Sequence, residues 1–175
     1  MNVPHHLSAL LACTALSCLA QGLPENAIYG GGGRTAEHKT EATNHKATSS
    51  LGYLRLSSAS DWVWGADLGM EGSLLATRWG TTRQVQQSKS YNALLGHNVQ
   101  RWEDARLDAM LMVGMREATK PCPGPSAGFA CYANAPTEKG REVNGGVLIT
   151  YTHRNALIGL RMNSVSRQVV LGVLF

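Results

Sequence analysis

The chain holds 175 residues, enough for one domain. Charged residues make up 16% of it, hydrophobic residues 43%, and the formal net charge is +4. That balance does not suggest a disordered chain, which combines low hydrophobicity with high net charge.

The first element is N-terminal. Leu7 to Ala20 is apolar, uncharged and followed by polar sequence, with small residues before Gln21. This reads as a cleaved signal peptide over 1–20, leaving 21–175 as the mature domain. The run is short for a transmembrane helix, which needs about 20 apolar residues. Its leading segment is atypical, with His5 and His6 but no Lys or Arg. Leu10-Leu-Ala-Cys13 loosely resembles a lipoprotein box, but the apolar run before it is too short. Cys13 and Cys18 leave with the signal. Cys122 and Cys131 remain and bracket Pro-Gly-Pro-Ser-Ala-Gly-Phe-Ala. Two cysteines in an exported chain point to a disulfide. The alternative, a metal pair, lacks a companion His or Cys nearby.

After Gln21 the pattern is period two. Strands are expected at about 27–36, 48–58, 61–72, 87–97, 104–116, 141–152, 155–163 and 167–175. The Gly30–Gly33 run offers no pattern to read. Trp62, Trp64, Ala66, Leu68 and Met70 share one face; Val63, Gly65, Asp67, Gly69 and Glu71 share the other. Leu107, Ala109, Leu111, Val113 and Met115 oppose Arg106, Asp108, Met110, Met112, Gly114 and Arg116. Residues 105–115 also fit helical spacing, through Leu107, Met110, Leu111 and Gly114. Their Gly-rich, β-like neighbours decide for a strand. Val169, Leu171, Val173 and Phe175 form the last alternating face. The links alternate too. Residues 58–60, 98–103 and 153–154 are short; 37–47, 73–86 and 117–140 are long and polar. The tight link at 164–166 is the exception. Short turns on one side and long loops on the other describe an outer-membrane barrel, with the short side periplasmic.

The chemistry of the two faces separates a membrane barrel from a soluble one. A soluble barrel needs a polar outside and an apolar inside. Here one face of each clear strand is uniformly apolar, while the other carries Asp67, Glu71, Arg106, Asp108 and Arg116. Unpaired, such charges cannot fill a dry core, since burial costs several kcal/mol per ion. They can face a polar lumen while the apolar face meets lipid. Trp62, Trp64, Tyr151 and Phe175 fall near periplasmic strand ends, as an interfacial girdle requires. The expected fold is all-β: an eight-stranded antiparallel up-and-down transmembrane barrel in the cell outer membrane.

The last segment, Arg167-Gln-Val-Val-Leu-Gly-Val-Leu-Phe175, ends on a terminal Phe. It resembles the C-terminal signature of outer-membrane barrels. The mature chain is similar in length and strand count to the small OmpA/OmpX-type class. The resemblance implies that Val169, Leu171, Val173 and Phe175 form the assembly signal read by the barrel-insertion machinery. Known small barrels of this kind include lipid A-modifying enzymes that use a His with a Ser and an acidic residue. His38, His45, His97 and His153 show no His-x-Ser motif. No metal motif, phosphate loop or nucleophile elbow occurs. The expectation is a chain that is not an enzyme and needs neither cofactor nor metal.

Two constellations remain. Asp67, Glu71, Arg106, Asp108 and Arg116 point inward by alternation, and Arg55 and Arg161 are grouped with them as a lumen charge network. That network either plugs the lumen or lines a narrow path for ions or small solutes. Basic residues gather at the loop end: Arg34, Lys39, Lys46, Arg78, Arg83, Lys89, Arg116, Lys120, Lys139, Arg141 and Arg167. Of these, Lys39, Lys46, Arg78, Arg83, Lys89, Lys120, Lys139 and Arg141 are the candidates to contact lipopolysaccharide phosphates. A solvated loop surface is the plainer alternative. Nucleic acid is a poor partner, because no stacking aromatics lie among the basic residues. The leading expectation is a structural or surface-interaction barrel touching outer-membrane lipids and an external partner.

Overall fold

The computed structural model describes residues 24–35, 47–57, 59–78, 81–119 and 139–175. The expected signal at 1–20, Cys122 and Cys131, and Lys39, Lys46 and Lys120 lie outside the described residues.

Eight strands follow in chain order: β1 (Asn26–Thr35), β2 (Ala47–Leu56), β3 (Trp62–Arg78), β4 (Thr81–Arg101), β5 (Ala105–Thr119), β6 (Lys139–His153), β7 (Ala156–Asn163) and β8 (Ser166–Leu174). Each pairs antiparallel with the next, and β1 pairs with β8 to close a barrel. Closure satisfies the backbone groups of the wall within the protein, as lipid demands. The even strand number brings the start of β1 beside the end of β8. There the Phe175 N–H donates to the Asn26 carbonyl at 2.9 Å. The β6–β7 turn is tight, with Arg154 in the left-handed region at φ 53°, as two-residue hairpins favour.

Residues 105–115, which also fit a helix, lie in strand β5. Within 73–86, expected as a long polar loop, residues 73–78 and 81–86 instead continue β3 and β4, which reach 17 and 21 residues. Their pairing runs out to Arg78 opposite Thr81, through register shifts between Met70 and Ser73 and between Leu74 and Leu75. The physical reason is solvent. Beyond the lipid neither face must be apolar, so the alternation that betrays a strand fades while the backbone ladder goes on. At the other end, β4 extends to Arg101 through an irregularity between Asn98 and Gln100.

The alternation sorts side chains onto two surfaces. Outside stand Leu51, Trp64, Leu68, Tyr91, Leu95, Leu111, Val113, Leu160, Val169 and Leu171, all exposed. Leu111 is 65% exposed in mid-strand. A continuous band of this kind has no place in water and matches a hydrocarbon layer. Trp62, Trp64, Trp102, Tyr53 and Tyr151 edge its periplasmic side. Trp62 meets His97 edge-on at 5.6 Å, and Trp102 meets Tyr151 at 6.2 Å.

Inside, the lumen is filled. Ala27, Tyr29, Leu54, Leu56, Val63, Leu94, Met110, Met112, Leu148, Leu157, Val170 and Leu174 form one buried cluster. Eight strands leave just enough interior for side chains to fill. Gly52 makes room for the largest of them: a Cβ there would strike the Tyr29 ring.

Candidate functional site

The inward face of each strand changes chemistry along its length. On β4 it runs Asn98, Gly96, Leu94, Asn92, Ser90 from the periplasmic end outward. On β5 it runs Arg106, Asp108, Met110, Met112, and on β6 Thr152, Thr150, Leu148, Gly146, Asn144. An apolar layer therefore separates two polar clusters stacked along the barrel axis.

The periplasmic cluster is small. Arg106 donates to Asp108, two residues along the same face of β5, through Nε at 2.9 and 3.0 Å and Nη2 at 2.7 Å. Asn98 Nδ2 adds a bond to Asp108 Oδ1 at 2.9 Å. Both charged side chains are almost wholly enclosed, at 3% and 0% exposure.

The outer cluster centres on Arg161 of β7, buried completely. Its guanidinium forks onto Asp67, with Nη2 to Oδ1 at 2.7 Å and Nε to Oδ2 at 3.1 Å. The same Nη2 reaches Glu71 Oε1. One cation thus faces two carboxylates, and neutral donors complete the shell. Tyr29 Oη donates to Asp67 Oδ2 at 2.7 Å, and Asn92 Nδ2 to Asp67 Oδ1 at 2.8 Å. Ser90 Oγ donates to Glu71 Oε1 at 3.0 Å, and Asn163 Nδ2 serves Glu71 Oε2. Asn144 and Ser166 extend the web to β6 and β8. Gly69 is required here, since a Cβ would collide with Glu71 and Ser90. Pairing of this density offsets the several kcal/mol that each buried ion costs. The arrangement cross-links β1, β3, β4, β6, β7 and β8 through the lumen.

Two residues grouped with this network stand elsewhere. Arg55 is not in the lumen. It shares the outward face with its cross-strand partner Trp64, and at the periplasmic rim it binds Glu25 Oε2 at 2.5 Å and Asn26 Oδ1 at 3.0 Å. Its strand position puts it in step with Leu51 and Tyr53, which face lipid. Arg116 lies on the inward face but at the outer mouth, partly exposed, and binds Glu142 Oε2 at 2.7 Å. The sequence reading missed Tyr29, Ser90, Asn92, Asn98 and Asn163. Asn92 carried a signal, since it sits opposite the apolar Tyr91, Ala93 and Leu95; Tyr29, beside a glycine run, carried none.

Those basic candidates of the outer end that fall among the described residues stand on strands. Lys89 stands exposed on β4, and Arg141 stands exposed on β6 opposite Glu117. Lys139 opens β6, Arg78 ends β3 and Arg83 lies in β4. Val169, Leu171, Val173 and Phe175 are all exposed on the outward side. Among the described residues no group of three or more His, Cys, Asp and Glu is placed to hold a metal.

No family model and no curated protein match the sequence. Solved structures do. The crystal structure of Ail, the attachment invasion locus protein of Yersinia pestis, in complex with the heparin analogue sucrose octasulfate, matches at 14% identity. It covers 89% of this chain and 99% of that one, with a TM-score of 0.52. A further crystal structure of Ail matches at 13% identity over 89% and 99% of the two chains, with a TM-score of 0.49. This is a small outer-membrane β-barrel with the OmpA/OmpX-type fold. The lipid-facing band, the aromatic edge and the closed eight-stranded wall place it in the cell outer membrane. Within that barrel, the filled lumen and the basic outer end are the two candidate functional regions.

Proposed function

We propose that the protein is a non-enzymatic barrel, closed through its lumen, that works at its outer surface. One observation carries this reading: the Arg106–Asp108 and Arg161–Asp67–Glu71 clusters are separated by a packed apolar layer of Leu54, Leu94, Met110, Met112, Leu148 and Val170. An ion crossing that layer would lose its hydration without a substitute partner, at large cost. The channel alternative gains no support from this packing. Among the described residues the enzyme alternative gains none either. His97 packs on Trp62 and its Nδ1 contacts the Asn98 carbonyl, and His153 sits at the β6–β7 turn. Both lie at the periplasmic end.

Function then falls to the outer end. Its basic residues, Lys89, Arg141, Lys139, Arg78 and Arg83 on the strands together with Lys39, Lys46 and Lys120, suit the phosphates of lipopolysaccharide or another polyanion. The sulfated ligand in the Ail complex supports the same chemistry. Cys122 and Cys131 would close part of the adjoining segment as a disulfide, and the 1–20 segment would direct export. The Val169–Phe175 alternation would guide assembly by the insertion machinery. The test is binding of the purified, folded protein to lipopolysaccharide and to sucrose octasulfate at rising salt. The reading expects binding that weakens steadily with salt, as exposed charge pairs do. Absence of binding at low salt would contradict it.

A further inference from the structure

Charges at the outer end mostly alternate. Arg141 is the cross-strand partner of Glu117, and Arg116 binds Glu142. Lys89 lies one position beyond the Ser90–Arg116 pair, beside the place of Glu117. The β8–β1 seam breaks this rule. Arg34 of β1 and Arg167 of β8 are direct partners, and both are exposed on the outward face. Directly opposed like charges, with Cβ atoms about 5 Å apart, destabilise a sheet. Their outer neighbours in register are Ala47 on β2 and Met162 on β7, which cannot neutralise them. Among the described residues neither guanidinium has an ion-pair partner.

The surface below the pair is shaped by what flanks it. Toward the lipid band, the outward positions of β1 are Gly32 and Gly30, opposite Val169 and Leu171 on β8. A Cβ at Gly32 would meet nothing within 4 Å. The wall is therefore recessed under the arginine pair and bounded by exposed apolar side chains, with Leu51 of β2 on its other side.

We propose that the Arg34–Arg167 pair is a binding site for a phosphate group of an outer-leaflet glycolipid, with an acyl chain of the same lipid lying along the recessed strip. Two forked guanidiniums match the oxygens of a phosphate, and its negative charge removes their mutual repulsion. The outward, wall-mounted position at the top of the lipid band selects a membrane lipid over a soluble polyanion. This proposal rests on the reading of the outer end as a polyanion-contacting surface, and adds the site and the lipid class.

The experiment uses the full mature protein, folded in a maltoside detergent that carries no phosphate, and bisphosphorylated lipid A as the probe. Heat-modifiable migration checks folding of each variant. Arg34→Gln with Arg167→Gln is expected to weaken lipid A binding by about tenfold or more, in line with loss of a charge-assisted contact. Dephosphorylated lipid A should bind the unaltered protein as weakly as lipid A binds the double variant. Gly32→Leu, which fills open space, should weaken lipid A binding and leave sucrose octasulfate binding unchanged. Unchanged lipid A binding in the double variant would overturn the site while leaving the broader surface reading intact. Equal loss of sucrose octasulfate binding in the double variant would overturn its assignment to lipid. Failure of the unaltered protein to bind either probe would instead remove the broader reading.

Discussion

The lumen and the outer wall are made from alternate residues of the same strands, yet they are stabilised by different means. On β5, Met110 is buried at 2% exposure and its neighbour Leu111 stands 65% exposed. Inside, most groups meet a protein partner, whether a packed methylene or a hydrogen bond. Outside, lipid supplies the contact, and the side chain need only be apolar. The contrast explains why Arg161 can be fully enclosed while Leu171 is bare. Charge is tolerated where the protein can surround it with Asp67, Glu71 and Ser166, and not where only hydrocarbon is available.

The largest effect should come from breaking the enclosed ion cluster. Arg161→Met leaves two carboxylates without their cation and is expected to destabilise by about 3–5 kcal/mol, read from the unfolding midpoint in urea. Adding Asp67→Asn and Glu71→Gln should recover much of that loss, because the remaining groups are neutral. A mild single variant would mean the cluster is hydrated rather than enclosed.

The next test moves to the lipid side. Leu111→Arg should cost about 2–4 kcal/mol, the range for basic residues near the midplane of such barrels. Met110→Gln, one residue away, should cost about 1–3 kcal/mol, through burial of an amide among apolar side chains. Alternation alone would make Met110 the tolerant position, since a lumen face is ordinarily polar. The packing against Leu94, Met112 and Leu148 removes that tolerance. Refolding yield and midpoint in lipid, measured for both variants, sharpen the comparison. Equal, negligible costs would mean that neither surface is as assigned.

The smallest effect on the barrel should come from Cys122→Ser with Cys131→Ser. The wall is closed by eight ladders, so insertion and heat-modifiable migration should be unchanged. The segment between the two cysteines should become more sensitive to protease. Maleimide labelling of the unreduced, denatured protein checks the premise. Free reaction at both cysteines would show that they are not bonded.

The sequence was legible wherever one face of a strand met lipid. Leu107 to Met115 and Val169 to Val173 alternate cleanly because lipid permits nothing polar there. Legibility ended where that constraint ended. The parts of β3 and β4 beyond Glu71 looked like a loop because no period-two apolar pattern runs through them: Leu74, Leu75 and Ala76 are consecutive and the rest is mostly polar. Arg55 looked like a lumen charge, although it lies at the rim, where Glu25 and Asn26 can hold a cation outside the hydrocarbon. The carboxylates and Arg161 were readable as charges on an otherwise apolar pattern. Tyr29 and Asn163 were not readable as their partners, because a neutral residue carries no mark of its mate and these two reach Asp67 and Glu71 from strands that are not their neighbours; Asn92, the cross-strand partner of Asp67, was readable only as an inward polar residue.

Conductance across a planar lipid bilayer tests the central claim most directly. With the purified, folded protein inserted and concentrated KCl on both sides, the sealed lumen predicts a flat baseline at all modest voltages. Met110→Gly with Leu148→Gly, which opens the apolar layer, should be the variant that first admits current. Steady unitary steps from the unaltered protein would show an open path past Arg161 and Met110, and would contradict the closed barrel.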